Sequence, residues 1–128
     1  MIAGKVLMDR NAPEGVSDTA QSGYNDSKGL INKWHQNGRN LYAITPRFAP
    51  TSSPEQLEMA GQLFGEVDNV YVQSHVSENV AEIEWVKKLF PEAKTYIEIY
   101  QNFNLLGPRS LYGHGIYFSD EEEESTTF

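Results

Sequence analysis

Val70-Tyr71-Val72-Gln73-Ser74-His75-Val76-Ser77-Glu78-Asn79 runs from a short apolar stretch into a polar turn, and an amphipathic segment, Val80 to Phe90, follows it. β-Branched and aromatic residues closed by a polar turn mark a buried strand. Ile83, Val86, Leu89 and Phe90 recur at helical spacing. The stretch is therefore a strand handing over to a helix, with His75 and Glu78 at the junction. In barrel-type α/β proteins the C-terminal strand ends are where catalytic groups project. A neutral imidazole there can ligate Zn²⁺, and a carboxylate three residues on can move protons beside it. Two further strand ends, Thr45-Pro46-Arg47-Phe48 and Gly113-His114-Gly115, carry similarly functional residues.

Working outward, strands and helices alternate. Ile2 to Met8 reads as a first strand, and a loop with Asn11, Pro13 and Gly15 follows. A helix opens near Ser17 or Asp18, carries Leu30, Ile31 and Trp34 as its apolar stripe and stops at Asn37-Gly38. Leu41 to Phe48 is the second strand. Ser53-Pro54-Glu55 starts a helix with a capping serine, a first-position proline and an early acid. Leu57, Ala60, Leu63 and Phe64 form its buried face. Strand three is Val70 to Val76, its helix ends before Pro91, a short helix covers Tyr96 to Phe103, and Leu111 to Phe118 is the fourth strand. Trp34 and Trp85 are expected in the core, and His35 on the surface at a helix C-terminus.

Strands separated by helices imply parallel βαβ units. The predicted fold class is α/β: a partial (β/α)8 TIM-type barrel of about four parallel strands with intervening helices. A closed barrel takes eight units and about 250 residues, so we expect an internal portion of one, truncated at both ends. Residues 1–122 are assigned to the barrel domain. Ser119-x-x-Glu122 matches a capping box, but residues 123–128 lack an apolar face and are read as a solvated acidic tail.

Composition narrows the function. With 128 residues, 39% hydrophobic and 12% aromatic, the chain can build one domain with a real core. Five of its 18 acids are Asp120 to Glu124; without them 10 basic residues face 13 acidic ones. No basic face invites nucleic acid, and neither a membrane span nor a secretory leader is visible. The absence of cysteine excludes disulfides and thiolate metal sites and fits a cytosolic protein.

Leu41 to Ser52, with its Thr45-Pro46-Arg47-Phe48 centre, resembles the guanine deaminases of the amidohydrolase superfamily. Gln73 to Asn79 followed by Glu82-Ile83 and Trp85-Val86-Lys87 does so too, and Gly113-His114-Gly115-Ile116-Tyr117 completes the set in the family's order. The likeness runs from Met1 to about Glu122. It implies a zinc (β/α)8 barrel that hydrolyses guanine to xanthine and ammonia, in a homodimeric, cytoplasmic enzyme of purine catabolism. By resemblance, His75 is a zinc ligand and Glu78 the proton shuttle. His114 holds the attacking water, Arg47 bonds the guanine carbonyl edge and Phe48 packs on the purine.

The sequence departs from that family at two places. It holds no His-x-His motif, its histidines being His35, His75 and His114, and it has no eighth strand to offer an aspartate. Catalytic zinc takes three protein ligands and a water. The expected parent activity is guanine deamination, with the isolated chain inactive. The alternatives are an amidohydrolase acting on another purine, a pterin or a triazine, and a half-barrel that is inactive or serves as an interaction module.

Overall fold

The computed structural model describes residues 1–125, with side chains through Glu122. The expectation of an acidic tail that stays clear of the core falls largely on side chains outside that range.

Every strand pairing is parallel. Strands β1 (Ile2–Ala3) and β2 (Val6–Leu7) both pair with β3 (Leu41–Pro46), which pairs with β4 (Tyr71–Val76), which pairs with β5 (Ser110–His114). The expected single strand over Ile2 to Met8 is thus two short ladders. Ile2 faces Leu41 and Val6 faces Thr45 at the same offset, so they are one strand interrupted at Gly4-Lys5. There the backbone presses on β3 so closely that a Cβ on Gly4 would stand 1.7 Å from the Ala43 oxygen. The sheet is therefore four strands wide and curls into a half-barrel with helices on its outer face.

Helix α1 (Ala20–Trp34) starts slightly later than expected, because Thr19 and Ser22 form the capping box that opens it. Helix α2 (Pro54–Glu66) opens at Ser53, whose hydroxyl accepts the Gln56 N–H. Helices α3 (Val80–Leu89) and α4 (Tyr96–Asn102) are capped by Asn79 and Thr95. Helix α5 (Asp120–Ser125) does form, and its Ser119–Glu122 capping box is real. The Glu122 carboxylate is buried and also receives the Tyr96 and Ile97 N–H groups at the start of α4.

The core lies between sheet and helices. Ile44, Val72 and Val76 supply the sheet's outer face; Leu57, Leu63 and Ile97 meet them from the helices, all but fully buried. Alternation along β4 turns Gln73 and His75 to the opposite, inner face. There Val6, Thr45, Gln73, His75 and Leu111 line an open concavity of about 510 Å³.

Two expectations fail here. Trp34 is 45% exposed, since it ends α1 beyond the sheet's cover, beside Met1 and Leu41, with Lys33 against its ring. His35 sits at the C-terminal cap of α1, as expected, and is held there: its Nδ1 accepts the Tyr42 N–H at 3.0 Å and its Nε2–H donates to the Asp68 carbonyl at 2.8 Å. The fourth strand also stops at His114, short of Phe118, because His114 and Gly115 adopt φ of 77° and 60° and turn the chain away.

Candidate active site

Parallel strands put all their C-terminal ends on one rim, and that rim collects the residues the sequence singled out. Arg47 follows the last residue of β3, His75 lies near the end of β4, and His114 ends β5. The register places His75 opposite Gly113 and Val76 opposite His114.

The β3 end is held firmly. Arg47 N–H donates to the Leu7 carbonyl at 3.2 Å, and the Asp9 N–H donates to Thr51 O at 3.0 Å. Asn11 Nδ2 reaches Pro50 O at 2.8 Å, and the Asp9 carboxylate takes the Ser53 N–H at 2.6 Å. On this base the Arg47 guanidinium sits 4.8 Å from the Phe48 ring centre. The Phe48 ring in turn meets Trp85 edge-on, centroids 6.3 Å apart. Trp85, expected in the core, is 39% exposed. Its position on α3 is one step round from the buried Glu82 and Val86, which points it at the rim.

His75 has one ring nitrogen committed. Nδ1 lies 2.6 Å from the Arg47 carbonyl oxygen. A carbonyl only accepts, so Nδ1 carries a proton, and in the neutral ring Nε2 is then the nitrogen with the lone pair. Metal-ligating histidines are oriented in this way, by a carbonyl or carboxylate on the other nitrogen. The His114 ring stacks on His75 with centroids 5.3 Å apart and planes 23° apart. Glu78 brings Oε2 to 3.7 Å from His114 Nε2.

Glu78 stands ahead of the Asn79 cap, outside helix α3. The acid in the first turn of α3 is Glu82. The Glu82 carboxylate, almost fully buried, takes the Glu78 N–H at 3.0 Å and the Tyr96 hydroxyl proton at 2.8 Å. Burial foremost, then Tyr100 and Glu82, pushes the Tyr96 hydroxyl well above the usual phenol range. The signal for Glu82 lies in Asn79-x-x-Glu82, which has the spacing of a capping box. Among the described residues, no group of three or more His, Asp or Glu could hold a metal ion. His75 fits a single ligand position, and the described residues do not complete the set.

The amidohydrolase family matches residues 1–128. The chain belongs to the amidohydrolase family. Among its relatives, the guanine deaminase of Escherichia coli K12 is 52% identical over 122 residues, covering 95% of this chain and 28% of that protein. The E. coli structure superposes with a TM-score of 0.96 at 50% identity, over 98% of this chain and 29% of that one. A guanine deaminase of C. acetobutylicum, solved with guanine in its active site, gives a TM-score of 0.89 at 36% identity, over 94% of this chain and 29% of that one. An atrazine chlorohydrolase of Arthrobacter aurescens shares the fold at 17% identity and a TM-score of 0.86, over 98% of this chain and 29% of that one. This amidohydrolase chain thus spans little more than a quarter of the length of the relatives it matches. Among the described residues no helix is long and apolar enough to cross a membrane.

Proposed function

We propose that this chain carries the guanine-recognition and proton-transfer portion of a zinc-dependent guanine deaminase, which converts guanine and water to xanthine and ammonia. The observation that carries the reading is the His75 ring. Its Nδ1–H is committed to Arg47 O, its Nε2 is left with a lone pair, and His114 and Glu78 stand beside it on the same rim.

His75 would hold the zinc ion through Nε2, with the remaining ligands supplied from outside the described residues. Zinc, when bound, supplies Lewis acidity that lowers the pKa of water toward neutrality. Glu78 would move one water proton to the purine ring and the other to the departing amine. His114, within 3.7 Å of that carboxylate, holds the water's other side. Arg47 donates to the guanine carbonyl, an acceptor edge suited to a planar cation. Phe48, steadied by Trp85, gives the purine a flat apolar face. The setting is the one the resemblance implies, a cytoplasmic homodimer in purine breakdown. With one ligand position of its own, the isolated chain is inactive.

The test is a chimera in which this chain replaces the matching stretch of the E. coli enzyme. Xanthine release from guanine within about tenfold of the parent rate is expected. His75→Asn should abolish both zinc content and turnover. A folded, zinc-loaded chimera that ignores guanine while deaminating another purine, a pterin or a triazine would sink the reading.

A further inference from the structure

Between β3 and β4 the regular pairing reaches Ile44 opposite Val72 and then stops. Pro46 has no N–H to continue it. Past that break His75 N–H donates to Arg47 O at 3.1 Å. In a parallel ladder the next bond would run from the N–H two residues beyond that acceptor, Ala49, back to the His75 carbonyl. It does not run there directly. Ala49 N–H donates to the Tyr100 hydroxyl at 3.1 Å, and that hydroxyl donates to His75 O at 2.8 Å. A phenol oxygen is thus inserted between the end of β4 and the short 3-10 turn, Ala49–Thr51, that follows β3.

The insertion is tightly held. Tyr100 comes from α4 on the outer face, is fully buried, stacks on Tyr96 at 5.9 Å and meets Tyr112 at a tilt, centroids 4.7 Å apart. Ser74 Oγ lies 3.0 Å from the Tyr100 oxygen and 3.2 Å from Arg47 O. The partners of this one hydroxyl, Ala49, Ser74 and His75, lie just past β3 or at the end of β4, and Tyr96 stands beside it on α4.

We propose that Tyr100 is a positioning residue for guanine recognition, its inserted hydroxyl setting the separation between the Arg47-Phe48 pair and His75. The inference rests on the guanine deaminase reading for the identity of the ligand, and on geometry alone for the spacing. Without the hydroxyl, Ala49 N–H either closes on His75 O, drawing residues 47–49 toward β4 until the gap is a direct bond of about 2.9 Å, or stays unpaired. The first moves Phe48 relative to Trp85, and the second frees the Phe48-Ala49 backbone that holds that contact.

NMR on the 128-residue chain tests the spacing without any ligand. In the native chain no through-bond coupling between Ala49 N and the His75 carbonyl carbon is expected; finding one overturns the insertion whatever any variant does. Tyr100→Phe should either create that coupling or raise Ala49 amide exchange at least tenfold, and shift the Phe48–Trp85 ring contacts. Tyr112→Phe is the control, since it removes a similarly placed hydroxyl bonded to Leu105 O at 2.7 Å and should alter none of these. Unchanged Ala49 and Phe48 signals in Tyr100→Phe, or equal shifts in Tyr112→Phe, overturn the proposal. In the chimera, Tyr100→Phe should raise KM for guanine about tenfold, with kcat within threefold and zinc content unchanged. A fall in kcat at constant KM counts against it. A native chimera that does not deaminate guanine defeats the deaminase reading instead, and the NMR result still decides the spacing.

Discussion

The carbonyl oxygen of Arg47 receives both the main-chain N–H and the ring Nδ1–H of His75, at 3.1 and 2.6 Å. One acceptor thereby fixes the backbone and the imidazole of the neighbouring strand end together. The side chains of the same two residues are left to face the rim, one as a cation and one as a free nitrogen lone pair.

The isolated chain should not deaminate guanine. His75 offers a single ligand where catalytic zinc takes three. Incubation with guanine and excess zinc, followed by xanthine absorbance, should give no release above the uncatalysed rate. Turnover at enzyme-like rates would show that this chain completes a metal site by itself.

Glu78→Gln in the chimera should lower kcat by about 10²- to 10⁴-fold, the usual worth of a positioned proton-transfer group, with guanine KM little changed. Glu82→Gln tests the support beneath it. It weakens the bonds to the Glu78 N–H and the Tyr96 hydroxyl, so both stability and kcat should fall. Steady-state kinetics with a thermal melt separates the two residues.

Two glycines of α2 should respond to alanine with opposite signs. A Cβ on Gly61 would lie 1.9 Å from the Phe103 carbonyl oxygen, whereas one on Gly65 meets nothing within 4 Å. Gly65→Ala should stabilise by up to about 1 kcal/mol through helix propensity. Gly61→Ala should destabilise by about 1–3 kcal/mol, the range for overpacking. Urea unfolding of both variants checks the sign directly.

Alkaline pH should unfold the chain steeply. Burial, above all, holds the Tyr96, Tyr100 and Tyr112 hydroxyls well above the usual phenol range. The folded state keeps protons that the unfolded chain sheds above about pH 10. Their contribution is therefore complete below about pH 10 and lost above it, at about 1.4 kcal/mol per pH unit for each tyrosine. Tyr112→Phe should reduce that slope by about a third, read from phenolate absorbance alongside circular dichroism.

What could be read from the sequence was local. Ser53-Pro54-Glu55 announces α2 because capping serine, first-position proline and early acid act within one turn. Val70 to Asn79 announces a strand and its exit for the same reason, and parallel strands then put Arg47, His75, Glu78 and His114 on one rim. The misses were non-local. Trp34 and Trp85 share helical spacing with buried neighbours, and only the sheet's extent decides which positions it covers. Nothing near Tyr100 in sequence says that its hydroxyl stands between Ala49 and His75, which lie 51 and 25 residues away. A buried glutamate such as Glu82 runs against the rule that charges face water, and only its three donors on the cap and on Tyr96 explain it.

The φ of 77° at His114 has a consequence for any mutational library built on this chain. Left-handed backbone admits glycine freely, asparagine and aspartate with little penalty, and β-branched residues hardly at all. A selection for folded variants at this position would return that short alphabet even if the imidazole had no task. Asparagine is therefore the informative replacement, because it keeps the hand of the backbone and removes the ring. A valine scan there would score backbone strain and mistake it for chemistry.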